Sequence, residues 1–144
     1  TMDDRKSKVR LALPVAQKRA SLVSEAIIAL LTPIKEQVHT LTFDNGKEFA
    51  KHESISKKLE CKSYFAKPYH SWERGQNENA NGLLRQYFPK NMTLDKVNVS
   101  EVEIAVDKLN NRPRKCLKFK TPYEVFQKLT GIDLTKKVGV ALMS

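Results

Sequence analysis

The sequence contains little cysteine and no long run of apolar residues. Its two cysteines, Cys61 and Cys116, stand far apart and form no Cys-x-x-Cys pair, so neither a disulfide framework nor a zinc module is indicated and a reducing cytoplasm is expected. No apolar run approaches the roughly 18 residues that a membrane-spanning helix needs, so no membrane role is predicted. The three histidines lack the spacing of metal ligands.

Acidic residues are also scarce relative to basic ones. The chain has 26 Lys and Arg against 16 Asp and Glu, which gives a formal net charge of +10 over 144 residues. Such an excess favours polyanionic partners, and nucleic acid is the first candidate. Because 40% of the residues are hydrophobic, the chain has enough apolar side chains for one sizeable core. We expect one domain over residues 1–130, followed by a tail over 131–144.

Hydrophobic periodicity over the first half of the chain alternates between period two and helical spacing. The pattern predicts a strand, a helix, a strand, a helix and a strand, which is typical of an α/β fold. The predicted elements are a strand over Lys8–Val15, a helix capped by Ser21 and stopped by Pro33, a strand from Val38 to Asp44, a helix over Glu48–Leu59 and a strand over Lys62–Ala66.

The second half of the chain reads as three helices. The first runs from Gln76 to Phe88 and is stopped by Pro89. In the second, Ser100 is the predicted cap of a helix over residues 101–110, which faces inward through Val102, Ala105, Val106 and Leu109. The third starts after Thr121 as cap, with Pro122 at its first position.

Two carboxylates carry the best indication of chemistry. Asp44 closes an apolar alternating strand, and Glu78 lies on a polar helix that is rich in Arg and Asn. Clustered carboxylates are natural ligands for the divalent cations that activate phosphodiester chemistry. The alternative interpretation makes Asp44 an ordinary turn residue and Glu78 a solvated helix acid. The surroundings favour the first interpretation, since Asn77, Asn81 and Arg85 fall on the same helix side as Glu78.

The residues around these two acids resemble the catalytic core of DDE-type transposases and retroviral-type integrases. The match is closest to bacterial insertion-sequence transposases of the IS-thirty group. It runs through residues 42–49, 64–75, 77–90, 109–115 and 121–126. Such long, ordered agreement is more specific than any one short motif.

The resemblance implies an RNase H-like fold and three acids that bind two Mg²⁺ (or Mn²⁺) ions for DNA cleavage and strand transfer. Asp44 matches the second acid of that family and Glu78 the third, while Arg74 and Arg85 match its basic positions around the glutamate. Asn45 and Glu48 are expected to support the metal site, as are Asn77 and Asn81.

The first acid of the family has no counterpart in this sequence. The start of the chain looks like the family's turn after its second strand, which places the first acid before residue 1 and predicts a fold without its first central strand. Asp3 and Asp4 are predicted to be solvated turn residues rather than substitutes. We therefore hypothesise a catalytically impaired segment that self-associates or rearranges to repair the sheet.

Basic residues surround the predicted site and suit contacts with DNA phosphates. The alternative for each is a solvated basic face. The predicted DNA-binding residues are Lys67, Arg74, Arg85, Lys90, Arg112, Arg114 and Lys115, the last three belonging to a run that continues through Lys118 and Lys120.

The sequence thus predicts the catalytic domain of a DDE-type transposase. Its expected partners are transposon ends and target DNA, together with further copies of the chain, in the bacterial cytoplasm and associated with the nucleoid. Two other classes stay open. One is a DNA-binding module without catalysis, because the first acid is missing, and the other is a basic RNA-associated structural protein.

Overall fold

The computed structural model describes residues 1–17, 19–43, 46–66, 85–88 and 97–135, and the chain divides into two compact units. The first unit comprises Thr1–Pro14 and Gln76–Met143, and the second comprises Val15–Gly75 together with Ser144. The predicted order of strand, helix, strand, helix and strand is observed between residues 10 and 65.

The first unit opens with an antiparallel hairpin of β1 (Met2–Asp3) and β2 (Arg10–Leu11). Asp4 shapes the turn: its Oδ2 accepts hydrogen bonds from the N–H of Ser7, at 2.9 Å, and from the Ser7 hydroxyl. The described strand is much shorter than the one predicted over residues 8–15. Lys8 has a left-handed φ of 65°, which an extended strand excludes, and Pro14 has no N–H to donate.

Asp3 is not a solvated turn residue, so that prediction was wrong. Its carboxylate accepts two hydrogen bonds from the Arg10 guanidinium, from Nε to Oδ1 and from Nη2 to Oδ2, each 2.7 Å long. The side chains of Arg10 and Asp3 are only 2% and 7% exposed. The two residues face each other across the hairpin. An ion pair of this kind requires both partners, because removing either one leaves a buried charge uncompensated. Asp4 does lie at the predicted turn.

Helix α3 (Val99–Asn110) is the main helix described in the first unit. Its cap is Asn98, whose Oδ1 accepts a hydrogen bond of 2.9 Å from the N–H of Glu101. The predicted cap, Ser100, was wrong because Asn98 holds the extended backbone of a cap while Ser100 is already helical. The predicted inward-facing residues are all buried: Val102, Ala105, Val106 and Leu109.

The last residue of α3, Asn110, connects the helix to the hairpin. Its side chain is fully buried, its Oδ1 accepts from the N–H of Arg10 at 2.8 Å, and its Nδ2 donates to the carbonyl of Arg10 at 2.7 Å. The N–H and carbonyl of Arg10 therefore point away from β1. A single side-chain amide satisfies the two backbone groups that a neighbouring strand would otherwise pair.

Helix α4 (Pro122–Thr130) follows the predicted cap, since the Thr121 hydroxyl accepts a hydrogen bond of 3.2 Å from the N–H of Glu124. The helix ends at Gly131, whose φ of 78° is left-handed. Tyr123 on this helix is buried and donates its hydroxyl to Asp107 Oδ1 on α3 at 2.5 Å. This bond fixes α4 against α3.

The helix predicted over residues 76–88 does not extend through its last residues. Residues 85–87 form a turn, and Phe88 packs against the first unit's core, which draws the chain out of helical geometry just before Pro89. The remainder of that predicted helix lies outside the described residues. The core cluster that Phe88 contacts comprises Ala12, Val102 and Val106, with Val97 also packed against it.

The second unit begins with α1 (Ala20–Leu31), which continues as a 3₁₀ helix over Thr32–Gln37. The predicted cap Ser21 was wrong: the cap position is Arg19, which makes no side-chain cap bond, and Ser21 lies inside the helix. The α-helix ends before Pro33 as predicted, because proline fits the first turn of the 3₁₀ segment, where its missing N–H costs nothing.

A parallel pair of strands forms the centre of the second unit. Strand β3 (Thr40–Phe43) pairs with β4 (Lys62–Phe65), with Phe43 opposite Phe65. The connection carries a 3₁₀ turn over Lys47–Phe49 and then α2 (His52–Leu59), so the helix predicted from Glu48 begins four residues later. Ile55 and Leu59 of α2 are buried, as a crossover helix between parallel strands requires.

Replacing Asn110 with Ala tests the connection between α3 and the hairpin. The variant removes the two buried hydrogen bonds between the Asn110 side chain and the backbone of Arg10, so we expect the free energy of unfolding to fall by about 2–4 kcal/mol in urea denaturation. Asn111→Ala is the matched control because Asn111 is exposed, and it should change stability by less than about 0.5 kcal/mol. Equal effects of the two changes would contradict the proposed role of Asn110.

Tyr123 makes a pH-dependent contribution to stability. Burial and then the hydrogen bond to Asp107 raise the pKa of Tyr123 above its usual value. Below the unfolded-state pKa of about 10, the tyrosine is protonated in both states and its contribution to stability is fully present. As the pH rises from there towards the higher pKa of the folded state, the unfolded state loses its proton first and this contribution is lost. Tyr123→Phe should therefore cost about 1 kcal/mol near pH 8, and the difference from the parent chain should shrink near about pH 11.

The measurement is urea denaturation of both chains at the two pH values. Tyr64→Phe is the control, because the Tyr64 side chain on β4 is exposed and its loss should have little effect at either pH. A difference between Tyr123→Phe and the parent that does not depend on pH would contradict this account.

Candidate active site and basic loop

The carboxyl ends of β3 and β4 lie side by side and define the edge where the predicted site begins. The N–H of Ala66, just after β4, donates to the carbonyl of Phe43 at 2.8 Å, so the pairing continues to the last residue of β3. Asp44 is the next residue in the sequence. Ligands of α/β proteins commonly bind where parallel strands end.

Aromatic rings hold this edge in place. The Phe43 ring lies 5.0 Å from the Phe49 ring and 5.9 Å from the Phe65 ring, measured between centroids. His52 meets Phe65 edge to face at 4.7 Å. Because Phe43 is buried within this group, the end of β3 that directly precedes Asp44 in the sequence is well packed.

Glu48 is the one predicted supporting residue of the site that the structure describes. Its carboxylate folds back over Gly46: a Cβ added at Gly46 would lie 2.6 Å from Glu48 Cδ and 2.8 Å from Oε1. At these distances a side chain at position 46 would displace the Glu48 carboxylate. The glycine therefore permits a carboxylate to lie against the backbone two residues after Asp44, and its oxygen donors suit a hard divalent cation.

Eight of the predicted site residues lie outside the described residues, and their roles remain predictions. They include both acids of the proposed metal pair. They are Asp44, Asn45, Lys67, Arg74, Asn77, Glu78, Asn81 and Lys90. Within the described ranges, no three His, Cys, Asp or Glu side chains form a group that would hold a metal ion.

Two of the predicted DNA-binding arginines make contacts within the first unit. The Arg112 guanidinium donates to the Tyr87 hydroxyl at 2.7 Å and to Gln86 Oε1 at 3.3 Å, and it lies 5.7 Å from the Tyr87 ring centroid. Arg85 is exposed and donates to the carbonyl of Phe88 at 3.3 Å. Arg112 thus uses its guanidinium largely to contact Tyr87, whereas among the described residues Arg85 donates one hydrogen bond, through Nη1.

The remaining basic residues belong to a tight loop over residues 114–120, called here the basic loop. Arg114 and Lys120 pair as an antiparallel bridge at its base, and a 3₁₀ turn over Lys115–Leu117 forms one side. Lys115, Lys118 and Lys120 are exposed. The Nε of Arg114 is buried and has no hydrogen-bond partner among the described residues.

Phe119, next to the closing bridge of the basic loop, is a candidate functional residue that no sequence pattern indicated. Its side chain is 71% exposed. An aromatic residue between two lysines is equally compatible with a buried ring. Only the left-handed backbone of Lys118 and Phe119 turns this ring outward, and no sequence signal such as glycine marks it.

Neither cysteine takes part in the candidate site as described. Cys61 is half-buried, and burial raises the pKa of its thiol, which disfavours the thiolate that a nucleophile needs. Cys116 is exposed on the basic loop. Among the described residues, no helix is both long and apolar enough to cross a membrane.

Comparison with known proteins relates the chain to transposases of bacterial insertion sequences. It is 48% identical over 129 residues to the transposase for insertion sequence element IS4351 of Bacteroides fragilis, a match that covers 90% of this chain and 40% of that protein. It is 40% identical over 136 residues to transposase InsI for insertion sequence element IS30C of Escherichia coli (strain K12), covering 94% of this chain and 35% of that protein. The chain therefore spans about two fifths of the length of these relatives. No family model matches it.

Solved structures give the fold. The catalytic core domain of BIV integrase superposes with a TM-score of 0.65 at 24% identity, over 90% of this chain and 84% of that one. A chain of the simian T-cell lymphotropic virus intasome, solved in complex with PP2A regulatory subunit B56 gamma, superposes with a TM-score of 0.66 at 20% identity, over 85% of this chain and 45% of that one. The predicted α/β, RNase H-like fold is confirmed. The chain is thus a homologue of a segment of insertion-sequence transposases, members of the IS30 type included, with the fold of a retroviral integrase catalytic core.

Proposed function

We propose that this chain is the catalytic domain of a DDE-type transposase, which cleaves DNA strands and joins the exposed 3′ hydroxyl to target DNA. The observation that carries the proposal is the 48% identity to a transposase over 90% of the chain. The end of the buried, aromatic-packed β3 directly before Asp44 supports it, because rigid strand ends are suitable supports for catalytic carboxylates.

We propose that Asp44 and Glu78 are ligands of Mg²⁺ or Mn²⁺. Their carboxylates are the donor type that such hard cations take, and the Glu48 carboxylate over Gly46 supplies a third oxygen-rich side chain close to Asp44 in sequence. When bound, the metal would polarise the phosphate and lower the pKa of the attacking hydroxyl. The role of Glu48, Asn45, Asn77 and Asn81 is to orient the ligands and the phosphate around them.

The basic residues would neutralise and position the DNA backbone. Lys115 and Arg85 are exposed and can contact phosphates as the fold stands, whereas the Nε of Arg114 is buried. Lys67, Arg74 and Lys90 complete the proposed surface, and Arg112 would act mainly by supporting Tyr87. The proposed partners are transposon ends, target DNA and further copies of the chain, in the bacterial cytoplasm and associated with the nucleoid.

A DNA-binding module without catalysis is the second candidate function. The basic run from Arg112 to Lys120 favours it, because five cations in nine residues without an acid would bind DNA whether or not a metal is held. Metal-dependent cleavage separates the two functions.

The test is cleavage and strand transfer on labelled DNA with Mg²⁺ or Mn²⁺, using this chain and a version joined to whatever sequence its gene encodes before Thr1. Glu78→Gln and Asp44→Asn should each lower the rate by about 100-fold or more, because each removes one charge from the proposed ligand set. Glu53→Gln is the matched control, since Glu53 is an exposed acid on α2, and it should cleave at the parent rate.

DNA binding is measured in parallel by fluorescence anisotropy. Retained DNA binding without cleavage in any version would favour the binding module. Cleavage that survives Glu78→Gln and Asp44→Asn would show that other residues hold the metal, and it would overturn the assignment of these two acids.

Gly46→Ala tests the supporting role of Glu48. The added Cβ must displace the Glu48 carboxylate, which is the flexible end of a side chain, so we expect the fold to be retained and cleavage to fall by about tenfold. Glu48→Gln should show a similar loss, whereas Glu53→Gln should not. Unchanged cleavage in both Gly46→Ala and Glu48→Gln would remove Glu48 from the proposed site.

A further inference from the structure

We propose that the basic loop, residues 114–120, binds DNA with unpaired bases, with Phe119 stacking on a base and the flanking lysines contacting phosphates. The inference rests on the proposed function, because it takes DNA as the partner of this chain. It adds a second contact surface, remote in sequence from Asp44 and Glu78, and it specifies the form of DNA that this surface recognises.

The basic loop is closed and ordered by its own backbone. The N–H of Arg114 donates to the carbonyl of Lys120 at 3.0 Å, and the N–H of Phe119 donates to the carbonyl of Arg114 at 2.8 Å. Further bonds connect Leu117 to Arg114 at 3.0 Å and Lys120 to Leu117 at 3.2 Å. These bonds fix the backbone on both sides of residue 119, so the fold sets the point from which the Phe119 side chain projects.

The backbone just before Lys120 is held in an unusual conformation. Lys118 and Phe119 have φ values of 55° and 65°, in the left-handed region that residues other than glycine seldom adopt. This geometry turns a large aromatic ring out of the loop, where 71% of its surface is exposed. A single exposed apolar side chain is ordinary on a protein surface, but one held outward by two left-handed residues requires a structural or functional reason.

The surroundings of the ring indicate what would cover it. Four of the loop's seven residues are cationic, namely Arg114, Lys115, Lys118 and Lys120, and none is acidic. The buried Nε of Arg114 has no acceptor among the described residues. A cluster of cations around an aromatic face matches the phosphates and base faces of nucleic acid better than the apolar surface of a protein partner.

The aromatic ring distinguishes unpaired DNA from duplex DNA. Within a duplex the base faces are stacked on each other and are not available to a side chain, whereas a single strand or a frayed end exposes them. Lysines alone would bind both forms through phosphates. The combination of ring and cations therefore predicts a preference for unpaired bases, such as those present at a DNA end that has opened.

The experiment measures the binding of the full chain to one fluorescein-labelled oligonucleotide, as a single strand and as a duplex, by fluorescence anisotropy at a fixed salt concentration. Phe119→Ala should weaken single-strand binding by about tenfold, which is the typical effect of losing one stacked base, and change duplex binding by less than about twofold. Phe119→Trp should retain the affinity. Replacing both Lys118 and Lys120 with Gln should weaken both forms and lower the salt slope on the single strand by about 0.7 for each charge removed.

Ile104→Ala is the control, because Ile104 is also an exposed apolar residue of the first unit, with 56% of its surface accessible, on α3. It should bind both forms as the parent does. Urea denaturation confirms that each variant is folded. Single-strand binding that is unchanged in Phe119→Ala would overturn the proposal. So would self-association that is lost in Phe119→Ala while DNA binding is retained, which would make a second copy of the chain the partner.

The result is separable from that of the cleavage assay. If neither this chain nor its upstream-extended version cleaves DNA, while Phe119→Ala still weakens single-strand binding, the loop is supported and the catalytic proposal is refuted. A chain that cleaves through Asp44 and Glu78 but binds DNA equally well without Phe119 would refute only the loop.

Discussion

The pairing of the Asn110 side chain with the backbone of Arg10 is the interaction on which the first unit depends. A hairpin of two-residue strands is too small to be stable alone, so it requires support from a helix. Asn110 supplies that support by satisfying both backbone groups of Arg10, and the Arg10 guanidinium in turn forms the buried pair with Asp3. These hydrogen bonds therefore fix the end of α3, from which the chain continues into the basic loop.

The second unit is organised by a different constraint, the parallel pairing of β3 and β4. Parallel strands need a crossover connection, and α2 provides it while burying Ile55 and Leu59. The packed rings of Phe43, Phe49 and Phe65 then stabilise the strand ends. Rigid strand ends followed by polar connections are how α/β folds commonly present functional residues.

Much of the fold could be predicted from the sequence because its signals were local. The alternating pattern before Asp44, the cap and proline at Thr121–Pro122 and the inward face of α3 depend on neighbouring residues alone, and the structure agrees with each. The predictions that were wrong involve distant partners or competing caps. Asp3 is buried because Arg10 reaches it across the hairpin, and α3 starts at Val99 because Asn98, two residues before Ser100, makes the cap bond to Glu101. The resemblance predicted which residues form the candidate site. The position of the Glu48 carboxylate over Gly46 and the exposure of Phe119 depend on backbone geometry, which no residue pattern indicated.

The closed backbone of the basic loop has a consequence for the thermodynamics of any ligand that contacts it. A flexible basic segment must lose conformational freedom when it binds, and that loss reduces its affinity. Here the hydrogen bonds between Arg114, Leu117, Phe119 and Lys120 have already ordered the backbone during folding. The loop is preorganised, so the entropy lost on association is limited mainly to the lysine side chains, and most of the contact energy remains available for binding.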